Sequence, residues 1–207
     1  MKAIIFDLQG TLVENGVFPS PVKQVKFILQ IRAEFHAFVT RFEEVFMTRK
    51  YDSLKDAFIE TAKEFNIEPD DAAIERLVGL WNKNKLLSRM FPDTIDVLEE
   101  LKDYRLVLIS NIDSQSRDII QKFKLENYFH DIYLSCDIGM LKHKMLHEII
   151  KDLGIDKSEI VYVGDSVESD MKAAEKAGMR GILIDRNGRQ EYKEKISSLF
   201  ELKALVG

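Results

Sequence analysis

Short apolar runs recur along the chain, and most of them end in polar residues. The first run is Ala-Ile-Ile-Phe at residues 3–6, and it leads directly into Asp7. A run of this length beside turn residues is typical of a strand that is buried on both faces of a sheet. The pattern predicts strands at residues 2–8, 106–109, 160–163 and 181–184, with a further short apolar segment at 132–135.

Between these runs, apolar residues recur at steps of three and four, which is the spacing of an amphipathic helix. Gly154 and Gly178 follow two of these stretches, where glycine commonly ends a helix. In the second half of the chain the spacing predicts helices at 93–103, 114–124, 142–153 and 168–177. Strands that alternate with helices of about 10–12 residues predict an α/β fold with a doubly wound (Rossmann-like) parallel sheet.

Residues 21 to about 90 differ, because they show helical spacing and no convincing strand. Pro21 starts the first helix, since proline is favoured at the first helical position. Two further helices are predicted at 53–65 and 70–88, with Asp52 and Asp70 as N-terminal caps. The prediction is an α/β core formed by residues 1–14 and 91–207, split by an all-helical cap domain at residues 15–90.

Composition and charge exclude several classes of function. The chain has 207 residues, 45% of them hydrophobic, and a net charge of −5, which argues against a nucleic-acid-binding surface. Its single cysteine, Cys136, cannot form a disulfide framework. No apolar stretch approaches the roughly 20 residues that cross a membrane, and the run before Asp7 is too short for a signal peptide. We therefore expect a cytoplasmic protein, and the helical cap is compatible with a homodimer.

Polar clusters follow the predicted strands, and together they predict a site. They are Asp7, Ser110 with Asn111, Lys142, and Asp165 with Asp170. Because the carboxyl ends of parallel strands meet at one edge of the sheet, these side chains are expected to lie together. A carboxylate nucleophile, a hydroxyl and amide pair, a lysine and a second acidic loop suit an anionic substrate and a divalent metal ion.

The four clusters resemble the motifs of the haloacid dehalogenase-like (HAD) superfamily of hydrolases, in the subgroup with a helical (C1-type) cap after the first motif. The family's first motif is D-x-D-G-T, and this chain has D-L-Q-G-T at residues 7–11. Ser110 and Asn111 match the second motif, and G-M-L-K at 139–142 resembles the third. The fourth motif, G-D-S-x-x-x-D, is intact at 164–170. Only His143 departs from the third motif, where proline is usual.

The resemblance implies a role for each motif residue. Asp7 would be the nucleophile that forms an aspartyl-phosphate, and Lys142 would neutralise both the nucleophile and the phosphoryl group. Thr11, Ser110 and the amide of Asn111 would bind phosphoryl oxygens. Mg2+ would be the cofactor, and its predicted ligands are Asp7, the main-chain carbonyl of Gln9, Asp165 and Asp170, the last directly or through water. The substrate implied is a small phosphorylated metabolite.

Gln9 occupies the position where family phosphatases carry a second acid. That acid protonates the leaving oxygen and later activates water, whereas an amide does not titrate near neutral pH. The loss of a general acid/base lowers a rate by roughly 100- to 10,000-fold. Metal binding is expected to survive, because the ligand from this position is the main-chain carbonyl.

Three functions are compatible with Gln9. The first is a phosphatase with weakened or specialised chemistry, and the second is a module that binds phosphorylated ligands without turnover. The third is another reaction of the superfamily. In a 2-haloacid dehalogenase, Arg32 or Arg41 would grip the halide, and in a phosphonate-cleaving enzyme Lys50 or Lys55 would act. Dehalogenases work without metal, so the intact acidic fourth motif favours the phosphatase.

Overall fold

Eight strands form two sheets in the computed structural model, which describes all 207 residues. The strands are β1 (Ala3–Phe6), β2 (Val13–Glu14), β3 (Arg89–Met90), β4 (Arg105–Ser110), β5 (Asp131–Leu134), β6 (Ile160–Gly164), β7 (Arg180–Ile184) and β8 (Lys195–Ile196). Six of them form a sheet in the order β5-β4-β1-β6-β7-β8, and every pairing in it is parallel. The strand order reverses at β1, which has β4 on one side and β6 on the other. A crevice at the carboxyl ends of these strands is the usual ligand site of such a sheet.

Ten α-helices accompany the strands. They are α1 (Pro21–Ile28), α2 (Phe35–Phe46), α3 (Leu54–Glu64), α4 (Asp71–Leu87), α5 (Thr94–Glu100), α6 (Ile119–Lys122), α7 (Ser135–Ile138), α8 (Lys142–Leu153), α9 (Lys172–Ala177) and α10 (Leu202–Val206). A π-helical turn, Val167–Met171, leads into α9. Strands and helices alternate through the second half of the chain, as the apolar pattern predicts.

Apolar cores lie on both faces of the large sheet. Because side chains alternate along a strand, Ile4 and Phe6 of β1 enter a core of 25 buried residues, while Ala3 and Ile5 enter one of 14 on the other face. All four side chains are fully buried. The continuous apolar run at residues 3–6 therefore reflects a strand covered on both faces, and the predicted doubly wound α/β fold is confirmed.

Several local predictions need correction. The helix predicted at 114–124 is confined to α6, because the Asp113 carboxylate accepts a hydrogen bond from the Gln115 N–H (3.0 Å) and holds a turn there. The cap of α3 is Ser53 rather than Asp52, since only the residue directly before the helix reaches its free N–H groups. Asp70 caps α4 as predicted, accepting from Ala73 N at 2.7 Å. Neither β8 nor α10 was expected from the pattern.

The segment predicted as the cap domain, residues 15–90, is called the insert below. Its four helices, α1 to α4, surround an apolar core of their own. It contains 14 buried residues, and aromatic rings dominate its centre. Phe46 stacks on Phe42 at 4.9 Å between ring centroids, and meets Trp81 edge-on at 4.9 Å. Such pairs contribute about 0.5–1.5 kcal/mol each beyond the burial of their area. This separate core supports the division at residues 15–90, which stays a prediction.

A short antiparallel ribbon joins the insert to the core. Val13 pairs with Met90 and Glu14 with Arg89, so the chain leaves and re-enters the core at one place. The expectation of no strand within residues 21–90 is therefore wrong for β3. A strand of two residues is too short to show an alternating pattern, and its partner is distant in the sequence. The ribbon places the insert above the carboxyl edge of the sheet.

Side chains also hold the insert against the core. The indole N–H of Trp81 donates to the buried Asp113 carboxylate at 2.8 Å. On the other side, the Ser135 hydroxyl donates to the main-chain carbonyl of Met47 at 2.6 Å. A buried hydrogen bond of this kind is costly to break, because it leaves a polar group unpaired. The crevice at the sheet edge is covered as a result.

Two further expectations concern a membrane-spanning helix and a homodimer. None of the helices combines the length and the apolar character that crossing a membrane requires. Apolar side chains do reach solvent on the insert, where Phe18 is 91%, Phe27 79% and Leu86 76% exposed. A homodimer that covers such residues stays a prediction.

Candidate active site

A cavity of about 190 Å³ lies between the insert and the carboxyl edge of the sheet. Six of the predicted site residues line it: Asp7, Gln9, Ser110, Asn111, Lys142 and Asp165. Size does not distinguish this cavity, because a cleft of about 680 Å³ on the insert surface is larger. Its chemistry does distinguish it, since the nucleophile, hydroxyl, amide and lysine candidates converge here from separate parts of the chain.

Lys142 links two of the predicted acids. It is the first residue of α8, and its Nζ lies 2.6 Å from Asp7 Oδ1 and 2.6 Å from Asp170 Oδ1. Burial would lower the pKa of Lys142, but Asp170 and Asp7 outweigh it and hold that pKa well above its usual value. The lysine is therefore charged, and it binds one oxygen of Asp7 while leaving the other free.

Asp170 is held by three donors at once. Besides Lys142, the Tyr162 hydroxyl donates to its Oδ1 at 2.9 Å and the Ser166 N–H to its Oδ2 at 2.9 Å. Asp170 is fully buried. With both of its oxygens engaged, Asp170 is suited to orient Lys142 and to hold water. Its role as a metal ligand stays a prediction, and these contacts favour ligation through water.

Three carboxylates crowd the same point. Oxygens of Asp7, Asp165 and Asp170 all lie within 4.8 Å of one another. Burial raises the pKa of Asp7 to about 7, against the opposing effect of Lys142. Burial, followed by the charges of Asp170 and Asp7, raises the pKa of Asp165 well above its ordinary range. No lysine or arginine forms an ion pair with Asp165, so the cluster has less positive charge than negative.

Glycine is required beside two of these acids. A Cβ atom on Gly10 would lie 2.0 Å from Asp165 Oδ2, and the φ of Gly10 is +83°, a left-handed value that side chains disfavour. A Cβ atom on Gly164 would lie 2.4 Å from Asp170 Cγ. The glycines of the first and fourth motifs therefore make room for carboxylates at the sheet edge.

Ser110 and Asn111 end β4 at the cavity. The Ser110 hydroxyl has only a 3.5 Å contact with the Asn111 carbonyl, so it is available to a ligand. The Asn111 side chain is occupied, because its Oδ1 accepts from the Lys142 main-chain N–H at 2.8 Å and its Nδ2 donates to Glu43 at 2.8 Å. The main-chain N–H of Asn111 donates to no atom of the chain. This N–H is the amide that can meet a substrate oxygen.

Gln9 and Thr11 have polar atoms without partners. Gln9 lines the cavity, and its Oε1 is buried with no hydrogen bond. Thr11 is fully buried behind the cavity rather than on its wall, and its hydroxyl has no partner either. The predicted role of Thr11 in substrate binding stays a prediction. Unpaired buried oxygens are costly in a protein, which is consistent with a ligand or water meeting Gln9.

The residues present fit a hard divalent cation. Asp165 has no cationic partner, and the main-chain carbonyl of Gln9 accepts no hydrogen bond from the chain. Carboxylate and carbonyl oxygens are the ligands that Mg2+ prefers. A cation held by Asp7, Asp165 and this carbonyl would offset the negative charge of these buried acids.

Replacement of Asp165 tests this fit without an assay of activity. Mg2+ at one hundred times its dissociation constant is expected to stabilise the protein by about 2.7 kcal/mol, or roughly 5–11 °C in Tm. In Asp165→Asn this gain should disappear, while the metal-free variant melts higher than the metal-free wild type because a like charge is gone. Scanning calorimetry with EDTA or Mg2+ measures both. Asp103→Asn, which alters an exposed turn, should keep the full Mg2+ response.

Sequence reasoning missed two residues that contact the motifs. Tyr162 lies inside β6, where an alternating position looks like any core aromatic. Glu43 lies on α2 of the insert, partly buried, and reaches the cavity through Asn111. Its only sequence signal is an acid beside the apolar stripe of α2, which also fits a surface residue. Both contacts depend on the tertiary fold.

Three comparisons place the chain among known proteins. A family model described as haloacid dehalogenase-like hydrolase matches residues 1–178. The chain is 26% identical to the glyceraldehyde 3-phosphate phosphatase of Methanocaldococcus jannaschii, in an alignment covering 100% of this chain and 97% of the relative. The enzyme of the same name from Methanopyrus kandleri is 22% identical, with coverage of 94% and 88%. The crystal structure of a HAD phosphatase from Thermococcus onnurineus matches with a TM-score of 0.66 and 24% identity over 100% of this chain and 98% of that one.

Proposed function

The chain belongs to the haloacid dehalogenase-like hydrolases, and we propose that it is a Mg2+-dependent phosphatase acting on a small phosphorylated metabolite through an aspartyl-phosphate at Asp7. The observation that carries this proposal is the position of Lys142, whose Nζ lies 2.6 Å from Asp7 in a buried cluster of acids. A carboxylate attacks an anionic phosphoryl group only where nearby cations offset the repulsion. The phosphatase relatives align with this chain over nearly its whole length, which supports the same chemistry.

In the proposed reaction each residue has one task. Asp7 Oδ1 is held by Lys142, so Oδ2 attacks phosphorus and the bond to the leaving oxygen breaks. The Ser110 hydroxyl and the Asn111 main-chain N–H donate to phosphoryl oxygens, where charge develops. Bound Mg2+, held by Asp7, Asp165 and the Gln9 carbonyl, would supply positive charge to the phosphoryl group. Water then hydrolyses the aspartyl-phosphate, and this step is slow because Gln9 cannot accept its proton.

The residues considered for dehalogenase or phosphonate-cleaving chemistry lie away from the cavity. Arg41 pairs with Glu44 and Glu64 on the insert, and neither it nor Arg32 lines the cavity. Lys55 pairs with Asp71 at 3.6 Å on the insert surface, and neither Lys55 nor Lys50 reaches the cavity. A halide or a phosphonate would therefore find no dedicated cation from the insert. These positions support phosphate monoesters as the substrates.

Rapid mixing tests the proposed function. With an aryl phosphate and Mg2+, we expect a burst of about one equivalent of phenol followed by slow turnover, because the leaving group needs no proton and hydrolysis of the intermediate lags. Asp7→Asn should lose the burst and the turnover, since an amide is not a nucleophile toward phosphorus. Phosphate release without an Asp7-dependent burst would contradict the covalent route. Binding of phosphate esters with no turnover on any of them would indicate the silent binding module.

A further inference from the structure

Glu43 is the one titratable side chain that the insert contributes to the wall of the catalytic cavity. Its Oε2 accepts a hydrogen bond from Asn111 Nδ2 at 2.8 Å. The orientation of that amide is fixed, because Asn111 Oδ1 accepts from the Lys142 main-chain N–H at 2.8 Å. Asn111 therefore presents its donor to Glu43, and the second oxygen of Glu43 remains without a partner. That oxygen is free to accept from a substrate.

The neighbouring Glu44 shows how a carboxylate with an ordinary surface role is paired. Glu44 lies 3.2 Å from Lys144 on the core and 3.3 Å from Arg41 on its own helix. Glu43 forms no ion pair, although it is the more enclosed of the two. Glu43 lines the cavity with one oxygen that has no partner in the chain, so this oxygen can accept a hydrogen bond from a group of the substrate.

Glu43 lines a second space as well as the catalytic cavity. A cleft of about 420 Å³ between α2, α8 and α9 shares Glu43, Asn111 and Lys142 with the cavity. Since Asp7 approaches the phosphoryl group from the sheet, the leaving group extends towards the insert, the side of the cavity that Glu43 lines. The first atoms of the leaving group beyond the ester oxygen are then the atoms that meet Glu43.

Several charges surround Glu43 and bear on its ionisation. Burial raises the pKa of Glu43, while Lys142 and the Asn111 hydrogen bond oppose this and Asp170 adds to it. His36 on the same helix also opposes the effect of burial and lowers the pKa of Glu43. The other titratable groups around the cleft are His143, Glu168, Lys172 and Lys176. Lys172 pairs with Glu168 at 2.6 Å and Lys142 with Asp7 and Asp170, whereas Lys176 forms no ion pair. None of these lysines forms an ion pair with Glu43.

We propose that Glu43 selects the substrate by the group next to the phosphorylated carbon: it accepts a hydroxyl or an ammonium there and rejects a carboxylate. The proposal rests on the proposed phosphatase function and adds to it a substrate class, phosphate esters of alcohols with a neighbouring hydroxyl. A hydroxyl donates to the free oxygen of Glu43. A carboxylate at the same place puts two negative charges together in an enclosed site, and it leaves Glu43 without a donor.

A matched series of small substrates tests the proposal. In 2-hydroxyethyl phosphate, 2-phosphoglycolate and phosphoethanolamine, the phosphorylated carbon bears a hydroxymethyl, a carboxylate and an aminomethyl group. At alkaline pH with Mg2+, we expect kcat/KM of the wild type to be about 100-fold lower for 2-phosphoglycolate than for 2-hydroxyethyl phosphate, because juxtaposed like charges are strongly disfavoured. Phosphoethanolamine should be used at least as well as the hydroxyl compound.

In Glu43→Gln, the difference in kcat/KM between 2-hydroxyethyl phosphate and 2-phosphoglycolate should shrink to about tenfold or less. We expect kcat/KM to rise for 2-phosphoglycolate and to fall for the other two substrates. Glu44→Gln is the control, since it also removes a contact between insert and core but leaves the cavity unchanged. An equal loss on all three substrates would show that Glu43 only holds the insert in place, and would overturn the proposal. A ratio of kcat/KM between 2-hydroxyethyl phosphate and 2-phosphoglycolate that stays at the wild-type value in Glu43→Gln would overturn it as well.

Failure of the proposed function is distinguishable from failure of this inference. If the wild type hydrolyses none of the three esters, phosphatase activity on them is absent and affinity becomes the readout. The wild type and Glu43→Gln are then titrated calorimetrically with the same three esters. The wild type should bind 2-phosphoglycolate most weakly, and the difference in Kd between this ester and 2-hydroxyethyl phosphate should be smaller in Glu43→Gln. Equal affinities of the two proteins for 2-phosphoglycolate would overturn the role of Glu43 without reference to turnover.

Discussion

Gln9→Asp is expected to raise steady-state turnover of an alkyl phosphate by roughly 100- to 10,000-fold, the usual contribution of a general acid/base. Gln9 lines the cavity, and its amide oxygen has no hydrogen bond in the chain. A side chain at this position is therefore free to bond to the substrate or to water. An aspartic acid there can protonate an alkoxide leaving group and then take a proton from water. An amide can do neither.

The change should also alter the time course. With an aryl phosphate, the wild type is expected to show a burst because hydrolysis of the intermediate lags. In Gln9→Asp the burst should disappear as the second step becomes as fast as the first. Gln9→Asn is the matched control, since it shortens the side chain by the same amount without adding an acid, and it should gain nothing. If Gln9→Asp behaves like Gln9→Asn, a missing acid is not what limits the enzyme.

The candidate site was predictable to the extent that its residues lie in contiguous motifs. Asp7, Asn111 and Asp165 each follow an apolar run, and parallel strands bring such positions to one edge whatever the rest of the chain does. The same logic explains why the π-helical turn could be read only as the start of a helix. Its local spacing is helical, whereas the hydrogen bond from the Ser166 N–H to the Asp170 carboxylate, at 2.9 Å, depends on a side-chain placement that the spacing does not report.

Other features depended on partners far apart in the chain. Glu43 meets Asn111 across 68 positions, and Trp81 meets Asp113 across 32. In each case one partner lies on a helix whose pattern reports only the packing of its own segment. The ribbon between β2 and β3 is the same kind of feature, because two residues carry no periodicity. The insert was therefore predictable as helices, while the way it closes over the site was not.

The electrostatics of the cluster could not be predicted either. The motif implies that a lysine lies near the nucleophile, but the depth of burial decides what the lysine does. Here Lys142, Asp7 and Asp170 are all nearly inaccessible, with side chains 8%, 4% and 0% exposed. At that depth the lysine is part of the fold as well as of the site. A single substitution should reveal both roles.

Lys142→Met is expected to lower the free energy of unfolding by about 3–5 kcal/mol, because breaking a buried ion pair leaves an uncompensated charge. Two carboxylates, Asp7 and Asp170, lose their cation together. Turnover should fall at least 100- to 1,000-fold, since the charge facing the phosphoryl group is lost. Urea denaturation and steady-state assays measure the two effects separately. Lys144→Met is the control, because that lysine is exposed and its pair with Glu44 contributes about 1 kcal/mol or less.

The pH dependence of the loss separates charge from packing. Burial already raises the pKa of Asp7 to about 7 with the lysine present, and its removal raises that pKa further. A carboxylate whose folded-state pKa lies above its unfolded value destabilises the protein at high pH, and this effect is lost as the pH falls through the folded-state pKa towards the unfolded one. Since Asp7 of the wild type is itself protonated below about pH 7, the stability deficit of Lys142→Met should shrink as the pH falls from about 9 to about 7. A deficit that is constant over that range would mean that Lys142 stabilises the fold through its packing, and that the carboxylates beside it do not carry the charge on which the proposed chemistry depends.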